Sequence, residues 1–218
     1  MPQRAQVDPI GADGSVRETK RGEARRRAFL DAARTVFLAE GFEAASVNEV
    51  VRIAGGSLAT LYAQFGSKEG LFLAMAEDAI EQVIAPLDAV ATSHRPLREG
   101  LAALGETFLE AVMRPNAIAM FRIVVGEGAK FPDVLRRYMA LGPDRVRRAV
   151  RAYLEERREA GELRTDDIET AVSAFMDLVV SQHRTRAVWD STYELDAVAR
   201  RAHVARAVDI LLGGIETV

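Results

Sequence analysis

A chain of 218 residues, 49% hydrophobic and 28% charged, is long and apolar enough to bury a core and lies far from the compositions that stay disordered. The lack of cysteine excludes a disulfide framework, a thiolate zinc site and a cysteine nucleophile, and fits a reducing compartment. Net charge is −3, but its distribution matters more: Arg17, Lys20, Arg21, Arg25, Arg26 and Arg27 crowd one short stretch against only Glu18 and Glu23.

The longest apolar run, 117–125, is interrupted by Arg122 and falls far short of the ~20 residues of a membrane helix. Residues 1–15 have the character of neither a signal core nor a transit peptide, so the expected location is the cytoplasm, with no membrane partner. Period-two alternation is nearly absent, whereas apolar residues recur three and four apart almost everywhere after Glu23. The expected class is therefore all-α, and residues 1–22 are expected to form a flexible basic arm.

In chain order, the first helix is expected from about Glu23 to Glu40, with Phe29, Ala33, Val36 and Phe37 on one face and Gly41 as its C-terminal cap. Ser46-Val-Asn-Glu49 reads as a capping box opening a short second helix that ends at Gly55-Gly56. Ser57 caps a short third helix, whose Leu61 and Phe65 point inward and leave Ala59, Thr60, Ala63 and Gln64 outward. Ser67 caps a fourth helix carrying Leu71, Phe72, Met75 and Ala79 inward to about Ile84, where Pro86 kinks or ends it. Further helices are expected at about 97–113, 116–126 and 132–140, then one bracketed by Pro143 and Gly161. The acidic signature Asp166-Asp-Ile-Glu169 opens a long helix to about Trp189, and a last helix runs from about Asp196 to Leu212, before Gly213-Gly214.

Two short helices around a glycine turn, the second outward-facing with small and polar residues, form a helix-turn-helix arrangement whose second helix suits the major groove. Ala59 and Ala63 permit close approach to base edges, Thr60 and Gln64 can hydrogen-bond to them, and Leu58 suits a thymine methyl. Tyr62 and Lys68 suit phosphates, Lys68 standing just after Ser67, where the start of a helix also favours an anion.

The segments Ala45-Ser-Val-Asn-Glu-Val50, Ala54-Gly-Gly-Ser57, Thr60-Leu-Tyr62 and Phe65-Gly-Ser-Lys-Glu-Gly-Leu-Phe72 resemble the TetR family of transcriptional regulators over about residues 25–75. Gly161 to Asp167, with Phe131-Pro132, is similar to the AefR-like C-terminal type. The resemblance implies that 23–76 is a DNA-binding domain and that 77–218 is a ligand-binding and dimerisation body. It also implies a DNA-facing set of Ser46, Asn48, Ser57, Leu58, Ala59, Thr60, Tyr62, Gln64 and Lys68. Gly56 replaces a usual turn valine and Val51 a usual alanine, and Val51 is expected to fill part of the space that results.

Other chemistries fit less well. Gly55-Gly-Ser-Leu-Ala59 nearly spells a nucleophile elbow, yet it follows a helix where that motif needs a strand. His94, His183 and His203 lie too far apart in sequence for paired ligands on one helix face, so neither metal nor cofactor is expected, and no enzyme activity. Phe108, Met113, Phe121, Arg122, Val125, Tyr153, Phe175, Met176, Val179, Gln182 and His183 are the candidates for contact with a small apolar or amphipathic effector. The last two long helices look apolar on more faces than one core needs, which nominates Val172, Phe175, Val179, Val204, Val208, Leu211 and Leu212 as a homodimer interface. The function expected is a ligand-responsive repressor that binds a near-palindromic double-stranded DNA operator as a dimer and is released by its effector. The alternatives are a helix-turn-helix protein without an effector, or a helical enzyme using a pocket in the body.

Overall fold

The computed structural model describes residues 12–91, 95–163, 165 and 167–215, with side chains for all of these except 12–20, 82–83 and 214–215. Among the described residues there is no strand. The helices are α1 (Ala12–Ala44), α2 (Val47–Ala54), α3 (Leu58–Phe65), α4 (Lys68–Ala91), α5 (Leu97–Val112), α6 (Pro115–Glu127), α7 (Pro132–Leu141), α8 (Pro143–Glu159), α9 (Ile168–Trp189) and α10 (Ala197–Ile215). The chain divides into two units, one up to Met75 and one from Ala76. No described helix is long and apolar enough to cross a membrane.

The N-terminal unit is built on phenylalanine. Phe29 meets Phe65 edge to face at 6.2 Å, while Phe37 and Phe42 each meet Phe72, at 5.3 and 5.1 Å. Such pairs contribute about 0.5–1.5 kcal/mol each beyond their burial. The break in α1 at Gly41, φ 81°, turns the chain so that Phe42 stacks back on Phe37 at 5.9 Å.

Three helix ends differ from expectation. The first helix begins at Ala12 rather than near Glu23, because Glu, Lys, Arg and Ala continue a helix without any apolar stripe to announce it. The fourth continues through Pro86 to Ala91, and the last passes Gly213-Gly214 to reach Ile215. The long acidic-capped helix starts as expected, Asp167 accepting the Thr170 amide at 2.9 Å, while Asp166 lies outside the described residues.

In the C-terminal unit α5, α8, α9 and α10 enclose one core, and α6 packs on α9 and α7 on α8. A clasp ties the end of α8 to the start of α5. Gly161, at φ 76°, reverses the chain after α8. Glu162 then reaches back to accept the Leu97 amide at 2.9 Å, capping α5, and receives Arg157 Nη1 at 2.9 Å. The buried Tyr153 hydroxyl lies against the Arg95 and Pro96 carbonyls at 3.1 and 3.2 Å. Burial pushes that hydroxyl up to about 12, so it remains a donor throughout the working pH range.

The residues nominated for a dimer interface are core residues instead. Val172, Phe175, Val179, Val204, Val208, Leu211 and Leu212 are all buried within the single chain. The reason is local: Gly105 on α5 carries no side chain, so Val204, Val179 and Phe175 close over it, and an added Cβ there would stand 2.7 Å from Val204. The nominated faces of α9 and α10 are thereby buried within the chain, against α5, α8 and each other.

Candidate nucleic-acid interface

The surface of α3 follows from its two buried anchors. Leu61 and Phe65, four residues apart, fix the inner face, so Leu58, Ala59, Thr60, Tyr62 and Ala63 are exposed along the outer one. Ser57 caps the helix by accepting the Thr60 amide at 3.1 Å, and its hydroxyl also pairs with the Thr60 hydroxyl at 2.9 Å. Ser57 is therefore a structural hydroxyl that follows a helix, and it orients the Thr60 side chain. Gln64 is half-buried rather than outward, with its Oε1 shielded and unpartnered.

On α2, Ser46 and Asn48 are exposed. The expected capping box does not close, since Ser46 makes no side-chain cap bond. Glu49 forks instead onto Arg52, at 2.7 Å to Nε and 2.5 Å to Nη2, which holds its carboxyl below the usual range. The Ser46 hydroxyl thereby stays outside the helix.

The turn between α2 and α3 has Gly55 at φ 71° and Gly56 at φ 99°, conformations that suit glycine and penalise valine. The nearest neighbours of a side chain at Gly56 would be Phe29, at 3.3 Å, and Arg25. Arg25 Nη1 also donates to the Ala54 carbonyl at 3.2 Å, closing the end of α2. Arg26 lies over the Phe65 ring at 4.9 Å and Arg27 pairs with Asp31 at 3.5 Å. All three arginines thus have partners within the N-terminal unit; the side chains of Arg17 and Lys20 lie outside the described residues. A contact spanning 29 residues leaves no periodic signal, so the basic stretch that holds Arg25 gave no sign of its bond to Ala54.

Lys68 donates to the Glu43 carbonyl at 2.8 Å and lies 5.3 Å from the Phe42 ring centre. One of its three N–H groups is thus committed, leaving two for another acceptor. Ser67 caps α4 by accepting the Gly70 amide at 3.1 Å.

The effector candidates in the C-terminal unit do not converge. Phe108, Tyr153, Phe175 and Val179 are core, and Met113 and Met176 pack on that core half-buried. Gln182 and Val125 are exposed. Arg122 donates to the Ala187 and Val188 carbonyls at 2.6 and 3.0 Å, capping the end of α9. His183 is buried, with Nδ1 2.5 Å from the Tyr193 hydroxyl and its ring 4.2 Å from that of His203, so the fold joins two histidines that sequence spacing kept apart. His94 lies outside the described residues. Phe121 is half-buried beneath Arg184, a residue the sequence reading passed over.

Residues 29–75 match the family described as bacterial regulatory proteins, tetR family, and residues 99–214 match the AefR-like transcriptional repressor C-terminal domain. The chain is 26% identical to the HTH-type transcriptional repressor AcnR of Corynebacterium glutamicum over 155 residues, 71% of this chain and 77% of that one. The solved Flavonoid-responsive Regulator FrrA is 28% identical with a TM-score of 0.72, covering 88% of this chain and 96% of its own. FadR of Bacillus subtilis, solved in complex with stearoyl-CoA, shares the fold at 17% identity and a TM-score of 0.69, covering 87% of this chain and 99% of its own.

Proposed function

The chain belongs to the TetR family of transcriptional regulators, and from that premise we propose that it is a ligand-responsive repressor binding a near-palindromic operator as a homodimer. The observation that carries the DNA reading is the outer face of α3. Two alanines leave room for base edges, an oriented Thr60 hydroxyl supplies a hydrogen bond, and Leu58 supplies an apolar contact. Tyr62, Lys68 and the exposed Ser46 and Asn48 are assigned to the flanking backbone.

The homodimer is proposed on the outward faces of α9 and α10. Trp189, Val198 and Ile210 are 83%, 69% and 64% exposed, and the small exposed Ala202 and Ala205 stand between the last two on α10. Large apolar side chains so exposed on neighbouring helices fit a two-fold contact better than a solvent surface. Two heads held one helical turn or a multiple apart, about 34–36 Å per turn, then read two half-sites.

Release by a small apolar or amphipathic effector is supported by the relatives, one named for its flavonoid response and one holding stearoyl-CoA. An effector that favours a body conformation with wrongly spaced heads lowers operator affinity, and DNA lowers effector affinity by the same factor. Sequencing the duplex fragments retained by the protein tests the reading: a recovered site with two related half-sites supports it, and retention without sequence enrichment contradicts it.

A further inference from the structure

Apart from Arg184, the buried or half-buried arginines described on α8, α9 and α10 all meet carboxylates: Arg145 meets Glu81, Arg147 and Arg151 meet Glu169, Arg157 meets Glu156 and Glu162, and Arg200 meets Glu110. Arg184 differs. Among the described residues it forms no hydrogen bond or ion pair, yet it is half-buried, with its Cζ 4.1 Å above the centre of the Phe121 ring. Asp177 on the same helix attracts it but forms no ion pair with it, and accepts the Ser181 hydroxyl at 3.1 Å. Tyr138, on α7, lies within electrostatic reach. Burial weakens the hold of Arg184 on its proton and raises the Tyr138 hydroxyl, both signs of groups held away from water. The ring contact recovers part of what the guanidinium loses in solvation but engages none of its five N–H groups.

We infer that Arg184, with Phe121 beneath it, is the recognition end of the effector site and takes a carboxylate carried on an apolar body. The inference rests on the proposed effector response and adds the chemistry of the effector. A planar carboxylate matches the guanidinium fork with two parallel hydrogen bonds. A phosphate dianion fits less well, because the neighbouring Arg122 already donates to the Ala187 and Val188 carbonyls. Val125, one turn along α6 from Phe121 and 62% exposed, extends an apolar surface for the rest of the molecule.

The test uses the full chain and matched pairs, phenylacetate against phenylacetamide and octanoate against octanamide, read by calorimetry and by thermal shift. Both acids are expected to bind at least tenfold more tightly than their amides and to raise Tm with concentration. Arg184→Met is expected to abolish that preference while keeping its own Tm within about 4 °C. Equal binding of acid and amide, no binding of either acid, survival of the preference in Arg184→Met, or a much larger loss of Tm in that variant each overturns the inference. Operator release is measured separately. If acids bind through Arg184 without altering operator affinity, the carboxylate site stands and its effector role falls; if only neutral molecules release the operator, the effector response stands and this site falls.

Discussion

Thr60 carries more than its own chemistry, because its hydroxyl is tied to Ser57 and its amide is the one Ser57 caps. Ser57→Ala is expected to cost about 1 kcal/mol of stability through the lost cap and also to free the Thr60 hydroxyl, changing which base is preferred. Thr60→Val should change the preferred base with little change in stability, and comparing the duplexes each variant selects checks both outcomes. His183 gives the pH dependence. Burial, then His203, Arg186 and Arg206, hold its pKa below the ordinary 6.5, so the folded chain refuses a proton that the unfolded chain accepts. Its contribution to stability is full above that ordinary value and is lost as pH falls through it toward the lowered one. Melting between pH 7.5 and 5 should show a fall in Tm that is shallower in His183→Asn, and equal slopes would contradict the assignment.

At the scale of elements, legibility followed the range of the interaction. The caps at Ser57, Ser67 and Asp167 are set by residues three apart, and all three were readable. The clasp joining Tyr153, Arg157 and Glu162 to the start of α5 was not, because its partners are separated by more than fifty residues, so Tyr153 looked like a ligand contact. The exposed face of α3 was legible from the spacing of Leu61 and Phe65, whereas the half-burial of Gln64 was not. Gly105 measures how tightly α5 meets α9 and α10. Gly105→Ala is expected to destabilise the protein by about 1–3 kcal/mol despite the better helix propensity of alanine, because Val204 must move. A chemical denaturation curve with an unchanged or higher midpoint would show that the crossing has slack.

For the whole molecule, the question left by the buried faces of α9 and α10 is which side chains remain to join two chains. Val208→Glu puts a charge into the core and is expected to unfold the C-terminal unit. Val198→Glu with Ile210→Glu should instead leave the helical content intact, halve the sedimenting mass and lower operator affinity, since two linked heads gain from their effective concentration. A double variant that sediments as the wild type would place the dimer contact elsewhere.

The outer face of α3 is proposed to read base edges. Ala59→Glu with Ala63→Glu adds bulk and negative charge where close approach is required, at exposed positions the fold does not use. Affinity for a selected operator and for a random duplex, measured at one fixed salt concentration, separates reading from mere attraction. The double variant is expected to keep its melting temperature and to lose the preference for operator over random DNA, whereas an undiminished preference would contradict base reading by α3.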